Sequence, residues 1–152
     1  MKKLILPALL AATGFTACTE GYEASHRDIF KDQIWTKGEV IEFNPDIKES
    51  GKTYQISADL QHIYGYAISG LDVKVSITAP SGAVELEKDY VIAFKDASGN
   101  SLSDCSGDYC DVIQVLEPAF QFRETGVYSV KVEQDSHAES VAGFLSLKLM
   151  IK

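Results

Sequence analysis

The stretch Leu71-Asp72-Val73-Lys74-Val75-Ser76-Ile77-Thr78 alternates apolar and polar side chains without a break. Successive side chains of a β-strand point to opposite faces, so this pattern is typical of a strand with one buried and one solvated face. The stretch from Thr53 to Gln61 repeats the pattern and places on one face Tyr54, Ile56, Ala58 and Leu60. The sequence therefore predicts at least two amphipathic strands that share a core.

Shorter runs with the same period continue along the chain and predict further strands near 40–43, 84–94, 112–116, 120–122, 128–132 and 145–151. Turn-forming sequences such as Pro80-Ser81-Gly82 and Glu124-Thr125-Gly126 separate them. No window offers a convincing amphipathic helix. This pattern predicts an all-β fold, an antiparallel β-sandwich of immunoglobulin-like or jelly-roll-like type with about seven to nine strands.

Two aromatic residues have predicted structural roles in this sandwich. Trp35 is the only tryptophan, and we expect it to close one end of the core. The sequence Gly126-Val127-Tyr128 is similar to a tyrosine corner, in which the hydroxyl group bonds back to the backbone.

The N-terminal sequence is typical of a targeting segment. Two lysines precede an apolar run from Leu4 to Ala17, which ends in small residues before Cys18. The run is shorter than the roughly 20 apolar residues that span a bilayer. We predict a lipoprotein signal peptide at 1–17, lipid on Cys18, a tether at 18–33 and the β-sandwich domain at 34–152. An ordinary secretory signal, with Cys18 as a spare thiol, is the alternative.

The net charge excludes some partners. It is −8 for the whole chain and becomes −10 when Lys2 and Lys3 leave with the signal peptide. A polyanionic surface argues against binding to nucleic acid or anionic headgroups, and it suits a basic partner. We expect contact with the membrane to be made through lipidated Cys18.

Cys105 and Cys110 frame the turn-forming sequence Ser106-Gly107-Asp108-Tyr109. In an oxidising compartment these two cysteines can form a disulfide. A redox-active pair or a zinc site is disfavoured, because the spacing is not Cys-x-x-Cys and the stretch supplies no further ligands.

Oxygen-rich side chains of the kind that calcium prefers occur at Asp96, Asn100, Asp104, Asp108 and Asp111. Their order does not fit the EF-hand template, so a solvated loop is the favoured interpretation. We predict no metal and no cofactor.

The histidines do not indicate an enzyme. The chain has three, His26, His62 and His137, and none lies in a local metal-binding or nucleophile motif. We predict no catalytic residues. The clustered His62, Tyr64 and Tyr66 could instead form a surface that contacts a sugar or a protein. Packing within half-buried strands is the alternative role for these tyrosines.

The order of several segments resembles the GldH-type gliding-motility lipoproteins of Bacteroidetes. The resemblance includes Trp35 ahead of Ile41-Glu42-Phe43, then Tyr54-Gln55-Ile56, the Tyr64/Tyr66 segment, Ala79-Pro80-Ser81-Gly82 and Gly126-Val127-Tyr128-Ser129-Val130. It implies a noncatalytic outer-membrane lipoprotein, facing the periplasm or the cell surface, that serves an envelope motility or secretion assembly. Other envelope proteins are the implied partners. A glycan-binding β-sandwich lipoprotein is the alternative.

Overall fold

The computed structural model describes residues 21–152, which form thirteen β-strands and one short 3-10 helix at Lys31–Gln33. The strands are β1 (Tyr22–Arg27), β2 (Ile34–Thr36), β3 (Val40–Phe43), β4 (Asp46–Ile47), β5 (Thr53–Ile63), β6 (Gly70–Thr78), β7 (Val84–Ala93), β8 (Asp104–Ser106), β9 (Tyr109–Gln121), β10 (Gly126–Val127), β11 (Ser129–Gln134), β12 (Ser140–Ala142) and β13 (Phe144–Ile151). Eight of these strands have four residues or more. Within residues 21–152, no helix has the length and apolar character needed to cross a bilayer.

The long strands form two antiparallel sheets. One sheet has five strands in the order β1-β13-β5-β9-β8, and the other has four in the order β3-β11-β6-β7. Two small ribbons, β4 with β10 and β2 with β12, complete the pairing in the described residues. The prediction of an all-β antiparallel sandwich is confirmed.

The core lies between the inner faces of the two sheets, as the alternation predicts. From β6, the side chains of Leu71, Val73, Val75 and Ile77 are at most 1% exposed. From β5, Ile56, Ala58 and Leu60 are equally buried. Removal of this apolar surface from water, at roughly 25 cal/mol per Å², is the main favourable contribution to folding.

Trp35 is a core residue, and its exposed fraction is 0%. Its ring lies 5.1 Å from that of Phe30 and 6.0 Å from that of Phe144. The indole Nε1 donates a hydrogen bond to the backbone oxygen of Glu39 at 3.0 Å, so the one polar atom of the ring is satisfied.

Tyr128 forms the tyrosine corner that the sequence predicts. Its hydroxyl group accepts a hydrogen bond from the backbone N–H of Glu124 at 2.9 Å. The same oxygen lies 3.0 Å from a carboxylate oxygen of Glu85. Gly126 precedes it with a φ of 120°, a conformation that favours glycine.

The structure corrects the predicted tether from residue 22 onward. All six residues of β1 pair with β13, from Tyr22 opposite Ile151 to Arg27 opposite Ser146. Tyr22 and Ala24 pack against the core, and Phe30 is only 5% exposed. The sequence does not predict this strand, because its inner-facing side chains, Tyr22, Ala24 and His26, form a weak apolar pattern. The predicted signal peptide and Cys18 lie outside the described residues.

Candidate interaction surface

A polar groove of about 470 Å³ lies on the outer face of the five-stranded sheet. Strand register builds it, because Ser25 pairs with Lys148 and Lys148 pairs with Asp59 across β1, β13 and β5. Since side chains alternate along each strand, the residues two positions away point to the same side. The groove is lined by Glu23, Ser25, Arg27, Asp59, Gln61, Asp111, Ser146 and Lys148.

Asp59 is a buried acid on the central strand of this face, with an exposed fraction of 8%. Its Oδ2 lies 3.3 Å from Lys148 Nζ. Its Oδ1 is covered by its surroundings and has no hydrogen-bond partner among the described residues. Burial raises the pKa of Asp59, and the attraction of Lys148 only partly offsets that effect. A buried acceptor without a partner costs free energy.

Lys148 is shared between two carboxylates. Its Nζ lies 3.3 Å from Asp59 and 3.5 Å from Oε1 of Glu23 on β1. Burial lowers the pKa of Lys148, but its contacts with Asp59 and Glu23 outweigh that effect and raise it. Glu23 also lies 3.6 Å from Lys152. The cation at the middle of the groove therefore has a second anion within reach.

An apolar strip on β9, which we call the β9 strip, adjoins the groove. It consists of Tyr109, Ile113 and Val115, with exposed fractions of 50%, 61% and 40%. Ile113 lies directly opposite Asp59 in the strand register, and Val115 lies opposite Ser57. The outer face thus combines a polar groove with exposed apolar side chains, a composition typical of protein interfaces.

The structure separates the three residues of the predicted binding surface. His62 is only 3% exposed, and its ring lies 5.1 Å from those of Tyr66 and Phe94. Its Nε2 is 2.7 Å from the hydroxyl oxygen of Ser103. Tyr66 is half-buried and donates a hydrogen bond to the backbone oxygen of Ala142 at 2.8 Å.

Tyr64, by contrast, is 69% exposed and stands apart from this aromatic cluster. Burial raises the pKa of the Tyr66 phenol, whose ring is packed against Phe94 and Phe144. The structure therefore gives His62 and Tyr66 the packing role that the sequence left as the alternative, and leaves Tyr64 as the exposed member of the three.

Cys105 and Cys110 are brought together by the pairing of β8 with β9. Their Cα atoms lie 4.0 Å apart, and their sulfur atoms are at bonding distance. The predicted disulfide therefore joins the short edge strand β8 to the end of β9 that adjoins the groove.

In the acidic loop, the Asp96 carboxylate accepts hydrogen bonds from groups of the loop itself. Asp96 accepts hydrogen bonds from the backbone N–H groups of Ser98 and Asn100 and from the side chain of Asn100. These bonds, chiefly the one from the Asn100 side chain, lower the pKa of Asp96. Across residues 21–152, no group of three His, Cys, Asp or Glu side chains is arranged to hold a metal ion.

Residues 23–150 match the family model described as GldH lipoprotein. The chain belongs to the GldH lipoprotein family. This confirms the resemblance that the sequence indicates. GldH lipoproteins are not a known family of enzymes. A search of curated proteins finds no significant relative.

Solved structures show distant likeness to this GldH-family chain. It matches a protein of Sulfurospirillum deleyianum at 14% identity and a TM-score of 0.43, covering 86% of this chain and 98% of that one. It matches the infectious bursal disease virus VP2 subviral particle at 14% identity and a TM-score of 0.42, covering 96% of this chain. The chain spans only 36% of the viral chain's length. Likenesses at this level carry no argument about function.

Proposed function

We propose that this GldH-family chain is a noncatalytic lipoprotein of the outer membrane that serves as an accessory component of an envelope assembly for gliding motility or secretion. Lipid on Cys18 holds it at the membrane, and it contacts another envelope protein through the outer face of its five-stranded sheet. Membership of the GldH lipoprotein family supports the first part.

The observation that carries the second part is the position of Ile113. This residue lies in the interior of a long strand, is 61% exposed, and is in register with the buried acid Asp59. Binding energy at protein interfaces concentrates in a few apolar and charged anchors that become desolvated together. The β9 strip and the groove provide both kinds of anchor within two neighbouring strands.

The docking of β1 sets how far this surface can stand from the membrane. Three residues lie between Cys18 and Tyr22, and each of the four steps along the chain covers at most about 3.6 Å, so the two Cα atoms can be at most about 14 Å apart. Glu23, the next residue, already lines the groove. A lipid on Cys18 would therefore hold the groove close to the membrane, which suits a partner that is itself part of the envelope.

Glycan binding has less support. Among the described residues, no aromatic ring lines the groove, so a sugar ring would find no flat apolar face there. Tyr64 is exposed but does not share a surface with His62 and Tyr66.

Complementation of a deletion strain in a gliding Bacteroidetes host tests the docking surface. We expect the double variant Ile113→Lys/Val115→Lys to lose gliding and to lose its crosslinked envelope partner, because two charges would have to be desolvated in the interface. The control is Val84→Lys/Val91→Lys, which changes two residues of similar exposure, 61% and 53%, on β7 of the other sheet. Normal gliding by the Ile113/Val115 variant, with both variants equally stable, would overturn the proposed surface.

The anchor has its own test. Cys18→Ser should move the protein from the membrane fraction to the soluble envelope fraction and abolish gliding, while the thermal unfolding of the domain stays unchanged. A Cys18→Ser strain that glides normally would refute the requirement for the lipid.

A further inference from the structure

Asp59 has an unused hydrogen-bonding capacity that is unusual for a buried acid. Its carboxylate lies on β5, which is paired on both sides, by β13 and by β9. Lys148 engages Oδ2, whereas Oδ1 has no partner among residues 21–152. Because an ionised carboxylate accepts several hydrogen bonds, this anion is only partly satisfied in the protein by itself.

Apart from Lys148, no described group that faces Asp59 donates a hydrogen bond to it. On the same element, Gln61 donates to Asp111 Oδ1 at 3.1 Å rather than to Asp59. From β1, Glu23 offers Lys148 an alternative carboxylate 3.5 Å away. Arg27 belongs to the same groove but lies two strands from Asp59, in register with Ser146.

Lys148 is the group that can move. Its side chain is 31% exposed, compared with 11% for that of Asp59. A lysine side chain is a flexible stem with a single charge at its end, so it can turn toward Glu23 without a change in the backbone. That movement would release the Asp59 carboxylate to a different donor.

We propose that the groove receives a lysine or arginine side chain of the protein partner, which donates to Asp59 while Lys148 turns to Glu23. This inference rests on the proposed function and names the chemistry of the partner. Three observations favour a cation on a protein over other occupants. The unsatisfied atom is an anionic acceptor, the whole chain carries a net charge of −8, and the β9 strip beside Asp59 exposes apolar side chains that a protein surface can bury.

Photo-crosslinking in cells tests the proposal on the full-length lipoprotein. Tyr109, on the β9 strip, is replaced by p-benzoylphenylalanine, which is similar in shape. With Asp59→Asn, we expect the yield of the protein adduct to fall by at least about tenfold, since loss of a desolvated charge partner weakens complexes by that much or more. The matched control is Asp89→Asn, which removes the same charge from an exposed position on β7 of the other sheet and should leave the adduct yield unchanged.

A second variant keeps the test decisive if Asp59→Asn disturbs folding. Lys148→Met removes the competing cation, so we expect it to raise the adduct yield, whereas a purely structural role for the pair predicts a loss. Mass spectrometry of the adduct locates the basic residue on the partner. Asp59→Lys in this protein, combined with replacement of the partner's basic residue by an acidic one, should restore the adduct.

The outcomes separate this inference from the proposed function. An adduct at Tyr109 that persists at full yield in Asp59→Asn would overturn the basic-side-chain inference and leave the docking surface intact. An adduct with lipid or glycan alone would overturn it as well. The absence of a protein adduct at Tyr109, together with normal gliding of Ile113→Lys/Val115→Lys, would overturn both the basic-side-chain inference and the proposed docking surface.

Discussion

The substitution Tyr128→Phe should destabilise the sandwich through the loss of one oxygen atom. The ring of Tyr128 is 1% exposed and packs edge-on against Phe122, with 4.8 Å between the ring centres. Phenylalanine keeps that packing. What it removes is the acceptor for the Glu124 N–H at 2.9 Å and the donor that faces Glu85 at 3.0 Å.

The size of the effect follows from these two contacts. A hydrogen bond between neutral groups contributes about 0.5–1.5 kcal/mol, and one to a charged group contributes about 1.5–3 kcal/mol. Because Glu85 and Glu124 are only partly buried, water replaces some of what is lost. We therefore expect a loss of about 2 kcal/mol in the free energy of unfolding, or about 6–10 °C in Tm for a domain of this size.

Urea unfolding followed by tryptophan fluorescence measures this loss, because Trp35 is the only tryptophan and is fully buried. The control is Tyr64→Phe, which removes a hydroxyl group from a side chain that is 69% exposed. It should lie within about 0.5 kcal/mol of the natural sequence. If Tyr128→Phe also lay within that range, the hydroxyl contacts would not stabilise the corner, and the reasoning would be wrong.

Two further predictions concern the outer face. Burial raises the pKa of Asp59 in the folded protein, so Asp59 costs stability at pH values where it is ionised, and that cost disappears as the pH falls below its ordinary pKa. The difference in Tm between Asp59→Asn and the natural sequence should therefore favour the variant more at about pH 7 than at about pH 3. Thermal unfolding at both pH values measures this difference, and the reverse order would contradict the prediction. Cys105→Ser/Cys110→Ser should lower the free energy of unfolding by about 2 kcal/mol, because the closed loop is short. A reductant should reduce the stability of the natural sequence to that of the variant and leave the variant unchanged; a natural protein that does not respond to reductant would refute the contribution of the bond.

The fold could be predicted from the sequence because alternation in an antiparallel sandwich is a local signal. The stretch from Leu71 to Thr78 has one face buried and the other exposed or half-buried, as its alternating apolar and polar residues predict. Strand β1 lacks this signal. An edge strand pairs through its backbone along one side, so residues such as Glu23 and Ser25 need little apolar character to be held in place.

The candidate surface depends on information that alternation does not contain. Asp59 and Lys148 are distant in the sequence and meet only because β5 and β13 pair in one particular register. The β9 strip was obscured because Val112 and Leu116 face the core while Ile113 and Val115 face outward, so both faces of the strand are apolar.

The role of His62, however, was readable from the sequence. It lies two positions after the core residue Leu60 on the same strand, and residues at that spacing share a face. Strand parity therefore assigns His62 to the core before any contact is known.

The pairing of β1 also changes what an anchor at Cys18 would do. A long flexible tether lets a domain search for its partner, and its length then sets the effective concentration at the binding site. Here the chain joins the sheet at Tyr22, and the next residue, Glu23, is already an ion-pair partner of Lys148 in the groove. In the proposed function, the lipid is therefore only a few residues from the binding surface, so it limits how far the groove can stand from the membrane. Flexible residues inserted between Cys18 and Tyr22 should then weaken partner binding even though membrane attachment is complete.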